Sequence, residues 1–220
     1  LCVVIDDDQL MPPGYLARLV DAFTEHPEAA IIGGKVLPLW SSPLPGWLTK
    51  EHWSALGMCD YGDHPLRIDS TRQLCLLTCA FRTAALRRVG GFDVRMHRSQ
   101  DAEVLKRMLR HDYFGMYLPD LVLGHKAPEP RLSKRYHRRW HSRHGKYCAI
   151  ERDPTVEAAS FRFLGVPSHL WRQAAADFGS LLVAFFRHDP ATMFRYECSL
   201  RFFAGYTAQR TSTLRSSNAY

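Results

Sequence analysis

The chain has 220 residues, 46% of them hydrophobic, which is enough to build one sizeable core. No apolar run approaches the ~20 residues of a bilayer-spanning helix, and no secretory signal or transit segment is visible. The net charge of +7 is unevenly spread: residues 1–130 hold 14 Lys and Arg against 16 Asp and Glu, and residues 131–220 hold 15 against 6.

In chain order, "LCVVI" (1–5) is a continuous apolar run of the kind expected for a parallel strand covered on both faces. "PPGYLARLVDAF" predicts a helix with proline in its first turn and Leu16, Leu19, Val20 and Phe23 at helical spacing. "AAIIGGKVLPL" (29–39) predicts the next strand. Residues 40–72, rich in proline and tryptophan, form an irregular excursion of the sort that carries specificity. "LCLLTCAF" (74–81) is another buried strand, and "RTAALRRV" a short helix stopped by Gly90 and Gly91. "SQDAEVLKRMLRH" (99–111) starts with Ser99 as N-cap and puts Val104, Leu105, Met108 and Leu109 on one helical face. "YFGMYLPDLVLGH" (113–125) is strand-like on either side of Pro119. From residue 131 onward the chain changes to Arg, His, Trp and helical apolar stripes.

Cysteines at 2, 59, 75, 79, 148 and 198 show no Cys-x-x-Cys spacing. That argues against a zinc site and for scattered reduced thiols in a cytosol-facing protein.

The sharpest local feature is Asp6-Asp7-Asp8, three like charges directly after an apolar strand. A hard divalent cation such as Mg²⁺ or Mn²⁺ neutralises such repulsion, and it keeps positions open for phosphate oxygens. A nucleotide diphosphate is then the natural partner. In open α/β sheets, ligands collect at the carboxyl ends of strands. The competing readings are a solvated acidic turn before a helix N-terminus, a Walker B carboxylate, and a phosphatase nucleophile. No Gly-x-x-x-x-Gly-Lys-Ser/Thr loop accompanies the second, and the Asp-x-Asp-Gly continuation of the third is absent. Asp101, in the first turn of a helix after the Gly-Gly turn, is placed to accept a proton from an attacking hydroxyl. Glu103 falls on another side of that helix.

The order "IDDDQLMPPGYLARLVDAF", "CAFRTAALRRVGGFD", "QDAEVLKRML", "PDLVLGH" and "PEPR" resembles bacterial glycosyltransferase family 2 over residues 1–147. The resemblance implies an α/β, GT-A-like (Rossmann-like) mixed sheet flanked by helices, followed by a C-terminal helical extension over 148–220. It implies that Asp6 and Asp8 hold the metal and the donor diphosphate, and that Asp7 touches donor sugar or ribose. Asp101 is then the base that deprotonates the acceptor, His125 a group near the phosphates or the metal, and Arg131 a phosphate partner. The family's Glu-Asp pair is Gln100-Asp101 here, its Gly-x-Asn appears as "LLTCAFR", and the Gln of Gln-x-x-Arg-Trp is missing before Arg139-Trp140. The last departure favours a single transfer over polymerisation. The expected activity is metal-dependent, inverting transfer from a nucleotide-diphosphate sugar to a saccharide or lipid-linked hydroxyl acceptor of the cell envelope. The opening inside a strand predicts a missing N-terminal nucleotide-binding part of about 80–100 residues, within usual α/β domain size.

"RLSKRYHRRWHSRHGKY" (131–147) carries seven Lys or Arg and three His. No nucleic-acid-binding motif is discernible there, so no nucleic acid is expected, and phosphates of donor or lipid are adequate partners. Downstream, Leu170, Trp171, Ala174, Phe178, Leu181, Leu182 and Phe185 make one helical stripe, and Asp189-Pro190 opens another helix. These helices either lie on an anionic membrane face, which places the protein peripherally at the cytosolic side, or pack as a hairpin. The reading from another class is a non-catalytic protein that binds anionic polymer or lipid through its basic half; a phosphotransfer enzyme is third.

Overall fold

A computed structural model describes residues 1–69, 72, 78–94, 100–152, 154–158 and 161–217. The chain forms two compact units, Leu1–Ser41 with Leu56–Ala127, and Ser42–Ala55 with the chain from Pro128 onward. This division falls earlier than the 147/148 boundary read from the sequence, and it gives part of the Pro- and Trp-rich excursion to the helical unit.

The first unit holds β1 (Cys2–Val3), β2 (Gln9–Leu10), α1 (Tyr15–Glu25), β3 (Ile31–Trp40), β4 (Leu66–Ile68), β5 (Cys79–Phe81), α2 (Thr83–Arg88), α3 (Gln100–Arg110) and β6 (Gly115–Ala127). The strand order is β1-β5-β3-β6-β2, with β4 also paired to β6. β3 and β6 run parallel and the other pairs antiparallel, so the sheet is mixed, as expected. Successive residues point to opposite faces. Ile31, Phe81 and Tyr117 therefore pack with α2 and α3, through Leu86, Val104, Leu105 and Met108. Their neighbours Ile32, Ala80 and Leu118 pack with α1, through Tyr15, Leu19, Ala22 and Phe23. Burial of both faces explains why these strands read as unbroken apolar runs.

Two expectations need correction. The stretch 1–5 contributes only two paired residues, antiparallel to β5, and Leu1 and Ile5 are exposed. The backbone leaves the sheet after the Val4 N–H bonds to the Cys79 carbonyl (3.0 Å), and so delivers the acidic turn. In α1 the inward stripe is Tyr15, Leu19, Ala22 and Phe23, whereas Leu16 and Val20 are more than half exposed. The helix starts after Gly14 (φ 81°), beyond both prolines, and that shifts its buried face.

β6 pairs with β3 on either side of an interruption. Gly34 faces Leu118 and Lys35 faces Val122, leaving Pro119, Asp120 and Leu121 looped out. Pro119 has no N–H to give a ladder, and a Cβ on Gly34 would lie 1.9 Å from the Leu121 carbonyl oxygen. Two arginines pin the helices. Arg82 donates to the carbonyls of Phe23 (2.8 Å), His26 (3.2 Å) and Ala29 (2.8 Å), closing α1 onto the start of α2. Arg107 donates to Glu103 (2.7 and 2.9 Å) and to the carbonyls of Val89 and Gly91, tying α3 to the Gly-Gly turn. Residues 74–77 of the expected strand and the expected cap Ser99 lie outside the described residues.

The second unit holds all but the last residue of a 3-10 turn at Lys50–Leu56, then α4 (Lys134–Glu151), α5 (Pro154–Glu157), β7 (Arg162–Phe163), β8 (Val166–Pro167), α6 (Ser168–Phe186) and α7 (Pro190–Ser217). Ser133 caps α4, and the Asp189 carboxylate accepts the N–H groups of Ala191 (3.2 Å) and Thr192 (3.0 Å) at α7, as its sequence predicts. α4 and α7 meet backbone to backbone. A Cβ on Gly145 would lie 2.0 Å from the Phe202 carbonyl oxygen, and one on Gly205 1.9 Å from that of Ser142. α6 meets the bundle through Ala174, Ala184 and Asp177, the last bonded to Ser199. Short side chains make that contact, and three of the seven residues of the expected stripe are left outside: Phe178, Leu182 and Phe185 are 44–56% exposed. No described helix is long and apolar enough to cross a membrane.

Candidate active site

The acidic turn of the first unit is held from both ends. Gln9 is 7% exposed; its N–H bonds to the Asp6 carbonyl (3.2 Å), and its side-chain oxygen accepts the Asp6 N–H (3.1 Å) and the Thr78 hydroxyl (2.7 Å). On the other side, the Asp8 carbonyl accepts the Lys126 N–H (3.0 Å), and β2 pairs Gln9 with His125 and Leu10 with Gly124. The turn is thus fastened to the end of β6 by backbone bonds, and its carboxylates need not pair with one another.

That fastening brings Asp8 to His125. Nε2 of His125 lies 3.0 Å from Oδ1 of Asp8, and Nδ1 lies 2.8 Å from the Gly57 carbonyl. A carbonyl only accepts, so Nδ1 carries the proton, and in the neutral ring Nε2 turns a lone pair toward the carboxylate. The Asp8 carboxylate is thus within ion-pair distance of this buried Nε2, without the angle of a regular hydrogen bond. Two facing lone pairs are stable when they share a proton or a cation. Neighbouring ligands of an octahedral ion bound at about 2.1 Å lie about 3 Å apart, so the pair fits a Mg²⁺-like ion. Fixing the second imidazole nitrogen on a carbonyl is the usual means of orienting a metal-bound histidine. Gly57 makes this approach: its φ is +72°, and a Cβ there would lie 2.6 Å from Cε1 of His125.

Asp101 sits in the first turn of α3. Burial first, and then the negative charge of Asp6, hold its pKa above the ordinary carboxylate range, while the backbone N–H groups of Ala102 and Asp101 pull it down. The Asp6 contribution sets the two carboxylates within electrostatic reach of each other. Burial that makes a carboxylate harder to ionise makes it a stronger base. Glu103 is engaged by Arg107, so it is not a second free carboxylate beside Asp101.

Asp6, Asp7, Asp8, Asp101 and His125 all belong to the first unit, the first two exposed. Arg131 belongs to the second unit, in a 3-10 turn where its N–H bonds to the Pro128 carbonyl (2.9 Å). Three contributors escape the sequence reading. Gln9 directly follows the triplet, and that adjacency is the one sequence signal that marks it. Gly57 lies in irregular chain with no periodicity to mark it. Arg82, part of the "CAFR" stretch, spends its guanidinium on backbone carbonyls.

Residues 1–187 match the family described as glycosyl transferase family group 2. A glucosyl-dolichyl phosphate glucuronosyltransferase of Haloferax volcanii is 30% identical over 104 residues, which is 46% of this chain and 32% of that protein. The match thus spans about a third of the relative's length.

Proposed function

The chain belongs to glycosyl transferase family group 2, and on that premise we propose that it transfers a sugar, with inversion, from a nucleotide-diphosphate donor to a hydroxyl acceptor. Asp6, Asp8 and His125 would hold a Mg²⁺ or Mn²⁺ ion. When bound, that ion supplies neutralisation of the charge that grows on the leaving diphosphate. Asp7, exposed beside them, is available to donor sugar or ribose. Asp101 takes the proton of the acceptor hydroxyl as its oxygen attacks the anomeric carbon; the carbon–oxygen bond to the diphosphate breaks with its electron pair. Arg131 is assigned to donor phosphate on the family pattern alone.

The observation that carries this reading is the pairing of the buried His125 Nε2 with Asp8 Oδ1, 3.0 Å apart, in the same unit as a carboxylate whose pKa is raised. Replacing Asp101 with Asn should lower turnover ~10²–10⁴-fold, the usual contribution of a general base. Calorimetry with Mn²⁺ and a nucleoside diphosphate should show binding persisting in that variant and vanishing in Asp8→Ala. Near-normal turnover of Asp101→Asn overturns the base assignment.

We further propose a lipid-linked acceptor and a working place on an anionic membrane face. The name of the Haloferax relative pairs glucuronosyl transfer with glucosyl-dolichyl phosphate, a lipid-linked sugar, for that protein. The helical unit here offers Phe178, Leu182, Phe185 and Phe186 exposed on α6, and it has a groove of about 630 Å³ lined by Arg135, Arg138, Arg139, Arg143 and Arg201. The same groove is what favours the second reading, a non-catalytic binder of anionic polymer or lipid. Mn²⁺-dependent hydrolysis of a nucleotide sugar by the full chain decides against that reading.

A further inference from the structure

Outside the carboxylate site, the helical unit gathers three metal-ligating side chains from three distant segments. His52 comes from the 3-10 turn Lys50–Leu56, His141 from α4 and Cys198 from α7, and one ligand atom from each lies within 4.8 Å of the other two. His52 and Cys198 are each 2% exposed. Nε2 of His52 and Nε2 of His141 are buried with no hydrogen-bond partner among the described residues. A buried imidazole nitrogen with nothing to bond to is costly, and a cluster of them needs an explanation.

We propose that His52, His141 and Cys198 form a binding site for a borderline-soft divalent transition metal ion, of which Zn²⁺ is the type. Two imidazoles and one thiolate are the donor set such an ion prefers, and hard Mg²⁺ or Ca²⁺ does not. The surroundings suit it. His52 is walled by Trp47, His137 and Phe194, at ring-centroid distances of 5.7, 5.5 and 5.4 Å, which hold the ring in place. Nearby cations are partly compensated: Arg195 pairs with Glu51 (3.2 Å), and Arg138 (2.6 Å) and Arg201 (3.4 Å) share Glu197. Burial raises the pKa of the Cys198 thiol, while the positive charge beside it favours the thiolate. All three ligands line one cavity of about 340 Å³ with Glu51, Ser199 and Phe202, which leaves room for a water or a small ligand in the fourth position. The ion would cross-link the 42–55 segment to α4 and α7, a connection that no covalent bond makes. On binding, the Cys198 thiol gives its proton to solvent, and sulfur donates the electron pair to the metal.

The reduced, metal-stripped full chain is titrated with Co²⁺ alone. One equivalent should produce an intense thiolate-to-cobalt charge-transfer band and the visible bands of a four-coordinate ion, and Zn²⁺ should displace it. Cys198→Ser should abolish the charge-transfer band. His141→Gln, at a partly exposed position less exposed to folding failure, should weaken Co²⁺ at least ~10-fold, because losing a ligand costs no less than losing an outer-shell partner. Asp8→Ala should leave the band intact, which keeps this site separable from the carboxylate site. Absence of the band in the wild-type chain, or its survival in Cys198→Ser, overturns the proposal.

Discussion

The two units assemble their polar clusters in opposite ways. In the sheet unit, Asp6, Asp7 and Asp8 are consecutive, and a strand end presents them together. In the helical unit, His52, His141 and Cys198 come from positions far apart in the chain, and only tertiary packing brings them within ligand distance of one another. A local motif therefore announces the first site, and no spacing rule applied to the chain finds the second. The same contrast runs through the backbone. The sheet unit reaches its geometry by hydrogen bonds around an acidic turn, the helical unit by glycines that let two helices touch.

The largest expected effect tests the sheet side. Gly57→Ala adds a Cβ 2.6 Å from the His125 ring at a φ of +72°, so it breaks the Nδ1 bond that aims Nε2 at Asp8. Loss of an orienting partner usually costs ~10–100-fold in metal affinity. Calorimetry with Mn²⁺ and a nucleoside diphosphate should show that loss, with Asp101 untouched. Unchanged affinity would mean that the His125–Asp8 pair is structural.

On the helical side, Gly205→Ala places a methyl 1.9 Å from the Ser142 carbonyl oxygen, where backbone must move to admit it. Overpacking of this kind typically costs ~1–3 kcal/mol. The denaturant midpoint should fall accordingly, whereas Gly179→Ala, with open space around the added carbon, should not lower it. Equal behaviour of the two variants would remove the close helix contact from the account.

Legibility in the sequence follows the range of the interactions. The strands Ile31–Trp40 and Gly115–Ala127 and the helix Gln100–Arg110 were readable, because burial on two faces or on one stripe writes a periodic pattern. The looped-out residues at Pro119 and the Gly90–Gly91 stop were readable too, since each follows from what one residue cannot do. In α1 Leu19 and Phe23 face inward as their spacing indicates, but Tyr15 and Ala22 complete the buried stripe in place of Leu16 and Val20. On the acidic side the triplet was legible as a cluster of carboxylates at a strand end. The histidine that faces it was identified only by family pattern, and the glycine that holds that histidine was invisible. Long-range pairs such as Gly57 with His125 leave no local trace.

A pH experiment sharpens the comparison further. Glu157 is partly desolvated, which alone would raise its pKa; hydrogen bonds from Tyr206 and Arg162 and the charges of Arg210 and Arg162 outweigh this and hold it below the ordinary value. A carboxylate with a depressed pKa in the folded state contributes stability that is complete above its unfolded value near 4.5 and is lost as pH falls through the depressed one. Glu157→Gln should lower stability at neutral pH by ~1–3 kcal/mol through lost charged hydrogen bonds, read as a lower Tm, and should flatten the decline below pH 4.5. Parallel acid limbs for the two proteins would show that the cluster contributes nothing.

The smallest expected effect concerns the apolar face of α6. Phe185 and Phe186 are 56% and 77% exposed, and full burial of such a side chain contributes ~1.5–3 kcal/mol, so partial insertion of two rings contributes less. Arg135, Arg139 and Arg143 recur every fourth residue along α4, and each cation near an anionic surface adds about 1 kcal/mol that salt screens away. Vesicles containing anionic lipid should therefore bring down the full chain at low salt and less of it at high salt. Phe185→Ser with Phe186→Ser should weaken co-sedimentation at both salt concentrations and leave its salt dependence in place. Removing the arginine charges should instead flatten that dependence. If the double phenylalanine variant sediments like the parent chain, Phe185 and Phe186 do not insert, and vesicle binding rests on other groups of the helical unit.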